Sequence, residues 1–590
     1  MNNIISNSKI LILLLLFLIQ LKLLATNEFT KDDYKNIANS HIWKSLLHYK
    51  NNKPSINTKS FLLSFNNFSL EEELRLTINN FNDGNLICKY PARYLWLSKI
   101  IPNNKFQKVQ CEEFNYYLDA TNVDSIDLVF ASENVSSPSS MMGHVFFKLN
   151  GQKDGHKLEN AVSFFTVIDT INIPMLILKS TVLGMDGFFI LNPYKQQVFQ
   201  YLNKENRSVF EYKLDLNDFE KKLILYHFWE LKDIDMKYFF TGFNCATMIN
   251  NILSLTREEY IENNYLWVTP KDVIKNANEN RLIKNFKMIP SLEWNLEMLN
   301  EKISKVKIDQ LVKYKELNEF DLIKLPIIEK EFLKEYLKYQ FINEEISKKD
   351  FEKYQNILET NESKEYILDL KDYKNPLNTI NDTQVSISYG KNHSLELSFL
   401  PASNTIYDNN REYFSENSLK IGEINLQLKD NIELKSLNIY EMKLLLPWNN
   451  ITKSISKEFR LSYEKHLNKK LKEVNVLNIS GGPGISYQLH NDIMIFSLIN
   501  GGLGVDFEKV SPYISLENGL IIYELFNMKS YVSHKLIFNE NNDSIFREKY
   551  FINQSMYFDK NLRVDLRYEN NKNELDFEEE SFKLVLNYIF

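Results

Sequence analysis

At 590 residues the chain is too long for a single core and calls for two to four domains. Its formal charge of -7 is spread without a basic stripe, which excludes a nucleic-acid-binding surface. The three cysteines exclude a disulfide-rich scaffold, and there is no cluster with zinc-ligand spacing, no phosphate-binding glycine loop and no Gly-x-Ser-x-Gly elbow.

In chain order, Lys9, the apolar run Ile10 to Ile19 and Leu23-Leu24-Ala25 read as a signal peptide over residues 1–25. Gln20 and Lys22 cut that run short of the roughly 18 apolar residues a transmembrane helix needs, and no other segment reaches it. Residues 26–115 have a helical pattern, with Ile37, Ala38, Trp43, Leu46 and Leu47 followed by the stretch 71–80. In an oxidising periplasm Cys88 and Cys111 pair, closing a loop of about 24 residues worth about 3 kcal/mol in the loop-entropy model. Cys245 is then the odd thiol and a candidate for reactivity; the alternative is a small buried apolar residue.

From Ile126 the hydrophobic period shortens to two. Residues 126–131 read as a buried strand, and a Ser/Pro-rich loop (Ser136, Ser137, Pro138, Ser139, Ser140) leads into His144. Val145, Phe147 and Leu149 alternate with His144, Phe146 and Lys148, and the turn dipeptides Asn150-Gly151 and Asp154-Gly155 return the chain through 161–168 as a hairpin. Residues 217–231 read as a helix striped by Leu223, Ile224, Phe228 and Leu231. Cys245 opens another helix, with Met248, Ile249, Ile252 and Leu253 on its buried face. These elements make residues 116–300 an α+β domain, and the charge-rich helical pattern of 301–374 a connector.

From Thr383 short alternating segments recur, separated by Asn/Asp/Gly/Lys clusters. Over 375–590 they predict an antiparallel meander of about 10 to 14 strands. The last one places Phe582, Leu584, Leu586, Tyr588 and Phe590 on one face and resembles the closing strand of bacterial outer-membrane barrels; a secreted β-sandwich is the alternative.

The chemistry lies at His144 and Cys245, 101 residues apart. A helix start at Cys245 directs unpaired N–H groups and the positive dipole end at the sulfur, lowering its pKa and offering an oxyanion hole, with Asn244 as a further donor. An imidazolium at His144 would pair with the thiolate and then act as general acid. Gly242 permits a sharp turn before the nucleophile. A third, orienting residue is not identifiable: His156 is one candidate, the alternative being an exposed histidine in a polar turn. His227, on an apolar helix, reads as a core or boundary residue.

These motifs, with Glu205-Asn206-Arg207, Glu211-Tyr212, Trp229-Glu230-Leu231, Phe239-Phe240, Asn244-Cys245 and Thr269-Pro270 in order, resemble the N-terminal periplasmic domain of the Lnb family of lipoprotein N-acyltransferases over roughly 120–290. The resemblance implies a permuted papain-like α+β fold, in which His156 has the spacing of a second histidine. It also implies acyl transfer: Cys245 takes an acyl group from a glyceride ester and passes it to an amine. The expected protein is therefore multidomain, α+β plus all-β: a helical N-terminal domain, a thiol acyltransferase domain, a connector and an outer-membrane-type barrel. Its expected partners are membrane lipid or lipoprotein acyl groups, with no cofactor, metal or nucleic acid. Two competing functions remain at this point: an envelope cysteine peptidase or amidase, and a non-catalytic outer-membrane protein retaining the fold.

Overall fold

The computed structural model describes residues 31–590 except 102–103, 135–140, 168–174, 176–177, 241, 263–266, 360–365, 367, 371–372, 391–394, 429–430, 469, 507–508 and 541–544. The expected signal peptide and the Ser136–Ser140 loop lie outside the described residues.

Local capping chemistry sets the helices of the first unit. Ser40 caps His41–Leu46 and Ser69 caps Leu70–Asn82, whose first turn carries Glu71, Glu72 and Glu73 where the helix dipole favours carboxylates. Pro91 opens Pro91–Ile100, and an Asn217/Glu220 capping box opens Asp218–Glu230. A short ribbon, β1 (Tyr49–Lys50) with β2 (Lys53–Pro54), also belongs to this unit. The unit is not the contiguous stretch 26–115 expected, because Asn217–Lys237 and Asn251–Asn263 belong to it. The reason is packing. The helix Asp218–Glu230 lies on Pro91–Ile100, Trp229 Nε1 donates to the Cys88 carbonyl at 2.8 Å, and the Phe114 and Tyr117 rings enclose the indole. Cys88 and Cys111 form the expected disulfide, with Cα atoms 5.3 Å apart.

A polar chain runs through this unit's core. Glu73 accepts from Ser64 and from the fully buried Arg93 (2.9 Å), and Glu230 accepts from the Arg93 backbone N–H (2.9 Å) and from His227 Nδ1 (3.1 Å). The Nε2 atoms of His48 and His227 are 2.9 Å apart, so His48 donates once His227 Nδ1–H is committed to Glu230. Arg93→Ala strands two buried carboxylates and should cost about 3–5 kcal/mol, read as a lowered melting temperature of this unit. Acid should also weaken it. Burial, then His227 and Arg93, push the His48 pKa well below its ordinary 6.5, so below that pH the unfolded chain binds a proton that the folded one refuses. Stability falls by about 1.4 kcal/mol per pH unit on that side, and His48→Gln should flatten the dependence in melts between pH 7 and 5.

The second unit begins with a seven-stranded sheet: β3 (Val123–Ala131), β4 (His144–Lys153), β5 (His156–Thr166), β6 (Met185–Pro193), β7 (Val209–Leu214), β8 (Met236–Tyr238) and β9 (Ile283–Ile289). Its order is β8-β6-β5-β4-β3-β7-β9. The Asp154-Gly155 turn, both residues at positive φ, makes β4 and β5 the expected hairpin, whereas Asn150-Gly151 lies within β4. Residues 126–131 of β3 are all buried because the strand is central and covered on both faces. The helix Tyr194–Asn203 packs one face, with Tyr194 and Val198 against Val129, Phe146 and Val209. The helix Pro270–Glu279, opened by a Thr269/Asp272 capping box, lies against β3 and β4.

The connector helices Leu292–Lys302, Lys305–Leu311 and Ile327–Ile342 share a core in which Leu296, Leu299 and Phe332 also hold Ile451 of the barrel loop 446–455, while Leu358 of Lys348–Glu359 packs with Leu333 and Leu337 of Ile327–Ile342. Buried Lys271 joins the α+β domain to the residues leading into the barrel through Asp382 (2.5 Å) and the Tyr413 hydroxyl (2.6 Å).

Twelve antiparallel strands then close on themselves: β10 (Gln384–Gly390), β11 (Leu395–Leu400), β12 (Glu416–Leu428), β13 (Ile432–Leu445), β14 (Ser456–Leu467), β15 (Glu473–His490), β16 (Ile493–Val505), β17 (Val510–Glu524), β18 (Met528–Phe538), β19 (Phe546–Tyr557), β20 (Leu562–Asn573) and β21 (Glu578–Ile589). Closure is made by β10 against β21, from Gln384↔Ile589 to Gly390↔Lys583. The side-chain pattern is inverted relative to a soluble protein. Phe582, Leu584, Leu586 and Tyr588 point outward and are exposed, while Asn587 is buried; in β17 Ile514 is exposed between buried Tyr513, Ser515 and Glu517. A twelve-residue strand tilted about 40° rises ~30 Å, enough to cross a bilayer core. An apolar outside, a polar inside and no free edge define a membrane-spanning barrel, and they exclude the β-sandwich alternative.

Candidate functional site

The hairpin that carries His144 opens at its end. Pairing of β4 with β5 runs only as far as Phe147↔Val162, whereas β4 stays paired with β3 to Ala131↔His144. Beyond Phe147 the backbone of β4 therefore has a free side, and the Val145 N–H there donates to the sulfur of Cys245. Gly143 makes this entry possible. It sits at φ +87°, and a Cβ would come within 2.6 Å of the Phe130 ring.

Cys245 is the first residue of the helix Cys245–Leu253. The cap is reciprocal: Asn244 Oδ1 accepts from the Thr247 N–H (2.9 Å), and Thr247 Oγ1 accepts from the Asn244 N–H (2.7 Å). Both amide protons of Asn244 are committed to the carbonyls of Phe240 (3.0 Å) and Val268 (3.3 Å). The side chain is thus a cap and a loop tie, which removes it from the oxyanion role expected of it. Gly242 is not required by its backbone either, since a Cβ there meets nothing closer than Phe239 Cβ at 3.6 Å.

Three residues not assigned a role from sequence act on Cys245 or His144. Tyr238 hydrogen-bonds the Cys245 sulfur through its hydroxyl, and the hydroxyl oxygen accepts from the Cys245 N–H at 3.5 Å. The Tyr201 ring lies 6.4 Å from the His144 imidazole, its hydroxyl accepting from Gln197. Arg207 is buried, stacks on Tyr201 at 4.6 Å, and donates to the carbonyls of Ala131 (3.0 Å) and Ser132 (2.7 Å). It therefore fixes the end of β3 against which His144 is registered. Arg207 was visible in sequence only within a motif, and nothing local to Tyr238 signals its contact with the sulfur.

The electrostatics differ from the expected ion pair. Burial, reinforced by the Arg207 charge, pulls the His144 pKa down to about 3, so the imidazole is neutral. Burial raises the Cys245 thiol, against the opposing pull of Val145 N–H, the Tyr238 hydroxyl, Ala246 N–H and Arg207. Both groups are thus uncharged at rest: a thiol at Cys245, held by the Val145 N–H, and a neutral imidazole at His144, the residue before Val145. His156 takes no part: it is exposed, pairs with Lys153 and stands nine residues along the hairpin from His144, roughly 30 Å away. His227 is in the core of the helical unit, as its apolar helix suggested. Among the described residues no group of three or more His, Cys, Asp or Glu side chains is arranged to hold a metal ion.

In sequence, an α+β domain built on a seven-stranded sheet is followed by a membrane-spanning barrel. Residues 113–280 match the model of the Lnb N-terminal periplasmic domain. Residues 378–588 and 35–100 match two domains of unknown function, DUF7840 and DUF7843. No curated protein matches the chain in sequence. Among solved structures the KdgM porin has 8% identity and a TM-score of 0.22, covering 35% of this chain and 99% of its own. The outer membrane channel DcaP of Acinetobacter baumannii has 10% identity and a TM-score of 0.19, covering 36% and 96%. OmpT of Vibrio cholerae has 9% identity and a TM-score of 0.19, covering 36% and 98%. The chain is a cell-envelope protein, a periplasmic domain joined to an outer-membrane barrel.

Proposed function

We propose that the protein is a thiol-dependent acyltransferase or acyl hydrolase acting from the periplasmic side on lipid or lipoprotein acyl esters. The observation that carries this reading is the seating of Cys245: at a helix start, in the opened hairpin, bonded to the N–H of the residue that follows His144.

The neutral pair suits general-base activation. As the sulfur attacks the ester carbonyl, the thiol proton passes to His144; the tetrahedral intermediate collapses, the C–O bond breaks, and the imidazolium returns the proton to the leaving alkoxide. An amine, or water, then attacks the thioester, losing a proton to His144, which returns it to the departing sulfur. The Cys245 N–H and the Tyr238 hydroxyl, which hold each other and the sulfur at rest, become donors to the oxyanion as those bonds are released, and the Arg207 charge favours it.

Apolar surface beside the site supports a lipid over a peptide substrate. Val182, Leu183 and Phe188 are 66%, 59% and 43% exposed on the segment whose Ser180 carbonyl accepts from the Phe240 N–H and whose Gly184 abuts the Phe239 ring. The test is intact-mass detection of an acyl adduct on Cys245 after incubation with diacylated lipopeptide or phospholipid vesicles. Release of peptides from peptidoglycan fragments without an acyl adduct would favour the peptidase reading instead.

A further inference from the structure

Twelve strands enclose more space than wall side chains alone fill, since eight already make a barrel whose interior side chains pack it. Here the loop between β11 and β12, residues 401–415, turns into that space. Ala402, Asn404, Ile406, Asp408 and Asn410 are all buried. The segment carries Asp408, Arg411 and Glu412 as its only charges and is rich in hydrogen-bonding groups, several of which find partners on the wall.

Asp408 is fully buried, paired with Arg563 of β20, and accepts from Gln384 Nε2 of β10 at 2.9 Å. Its backbone carbonyl accepts from Lys529 of β18 at 2.8 Å. The Tyr407 ring packs on Tyr531 of β18 and Phe551 of β19, while its carbonyl accepts from the Tyr557 hydroxyl at 2.6 Å. Ile406 joins Leu445, Met494, Phe496, Leu498 and Ile521 of β13, β16 and β17. The Asn410 N–H donates to the Tyr523 hydroxyl at 3.0 Å. β10 and β16 stand on opposite walls of a twelve-stranded ring, so one loop is bonded right across it. Deeper in, one space beside it, lined by Gln384, Glu396, Tyr407, Lys420, Arg563 and Arg567, is about 80 Å³, and a wider one of about 390 Å³ lies at the loop's exit against Met494, Ile521 and Tyr523.

The chain's direction places this plug. The first and last strands meet at Gln384↔Ile589, so loop 401–415 lies at the barrel end from which the α+β domain and connector lead in. Its exit leads to Tyr413, bonded to Lys271, and Phe414, whose ring lies 4.9 Å from Trp294.

We propose that the barrel is a sealed anchor and not a diffusion pore, its lumen closed from the periplasmic end by residues 402–411. The test uses full-length protein reconstituted in planar bilayers under potassium chloride. Wild type should show no unitary conductance steps, and a variant with 404–410 replaced by an equally long Gly/Ser segment should show them, provided heat-modifiable gel mobility confirms that it is folded. A second readout needs no such variant: liposomes carrying the wild-type protein should retain an entrapped small sugar. Conductance steps or sugar efflux from wild type, or a folded Gly/Ser variant that stays closed, would each overturn the proposal.

Discussion

Cys245→Ala is expected to abolish formation of the acyl adduct, because the two remaining cysteines are locked in a disulfide and offer no substitute thiol. The loss should be complete in intact-mass measurements and should not be accompanied by unfolding. The change removes one sulfur from a site of 5% exposure, and the helix keeps its Asn244/Thr247 cap and its apolar face. Unchanged heat-modifiability and melting, with no adduct, is the expected combination. Full transfer activity in the alanine variant would refute the proposed nucleophile.

His144→Ala is expected to cut turnover by about 10²- to 10⁴-fold, the range for losing a positioned general base. The neutral resting pair adds a sharper expectation. With the Cys245 pKa raised by burial and His144 uncharged, alkylation of wild-type Cys245 should show one rise in the alkaline range and no plateau at neutral pH. Since no imidazolium is lost, the midpoint of that rise should not move upward in the alanine variant even though turnover collapses. A midpoint rising by a unit or more would mean that a thiolate–imidazolium pair operates after all. The two outcomes separate by stopped-flow alkylation against pH.

The site was half legible before the structure. A lone odd thiol at a helix start and an imidazole at a strand start follow from local periodicity and cysteine arithmetic, which depend only on near neighbours in sequence. What surrounds them does not. Tyr238 and Arg207 reach the pair through contacts set by sheet order, and Asn244 looked like a free donor until the partners of its amide were known. The ionisation of the pair was misjudged for the same reason: local sequence shows a helix dipole but not the burial that outweighs it.

The barrel divides along the same line. Alternating apolar and polar residues determine that strands form and which face meets lipid, because a period of two is a property of the extended chain itself. That part was readable from Thr383 onward, as was the helical character of the N-terminal region and the pairing of Cys88 with Cys111. Closure at twelve strands, the recruitment of the helix Asp218–Glu230 into the helical unit and the filling of the lumen by 401–415 were decided only in three dimensions. The loop reads in sequence as an Asn/Ser/Thr turn region. Only when walls from both sides present Arg563, Gln384, Lys529 and Tyr523 does burying its polar groups become favourable, because each group then exchanges a water for a partner.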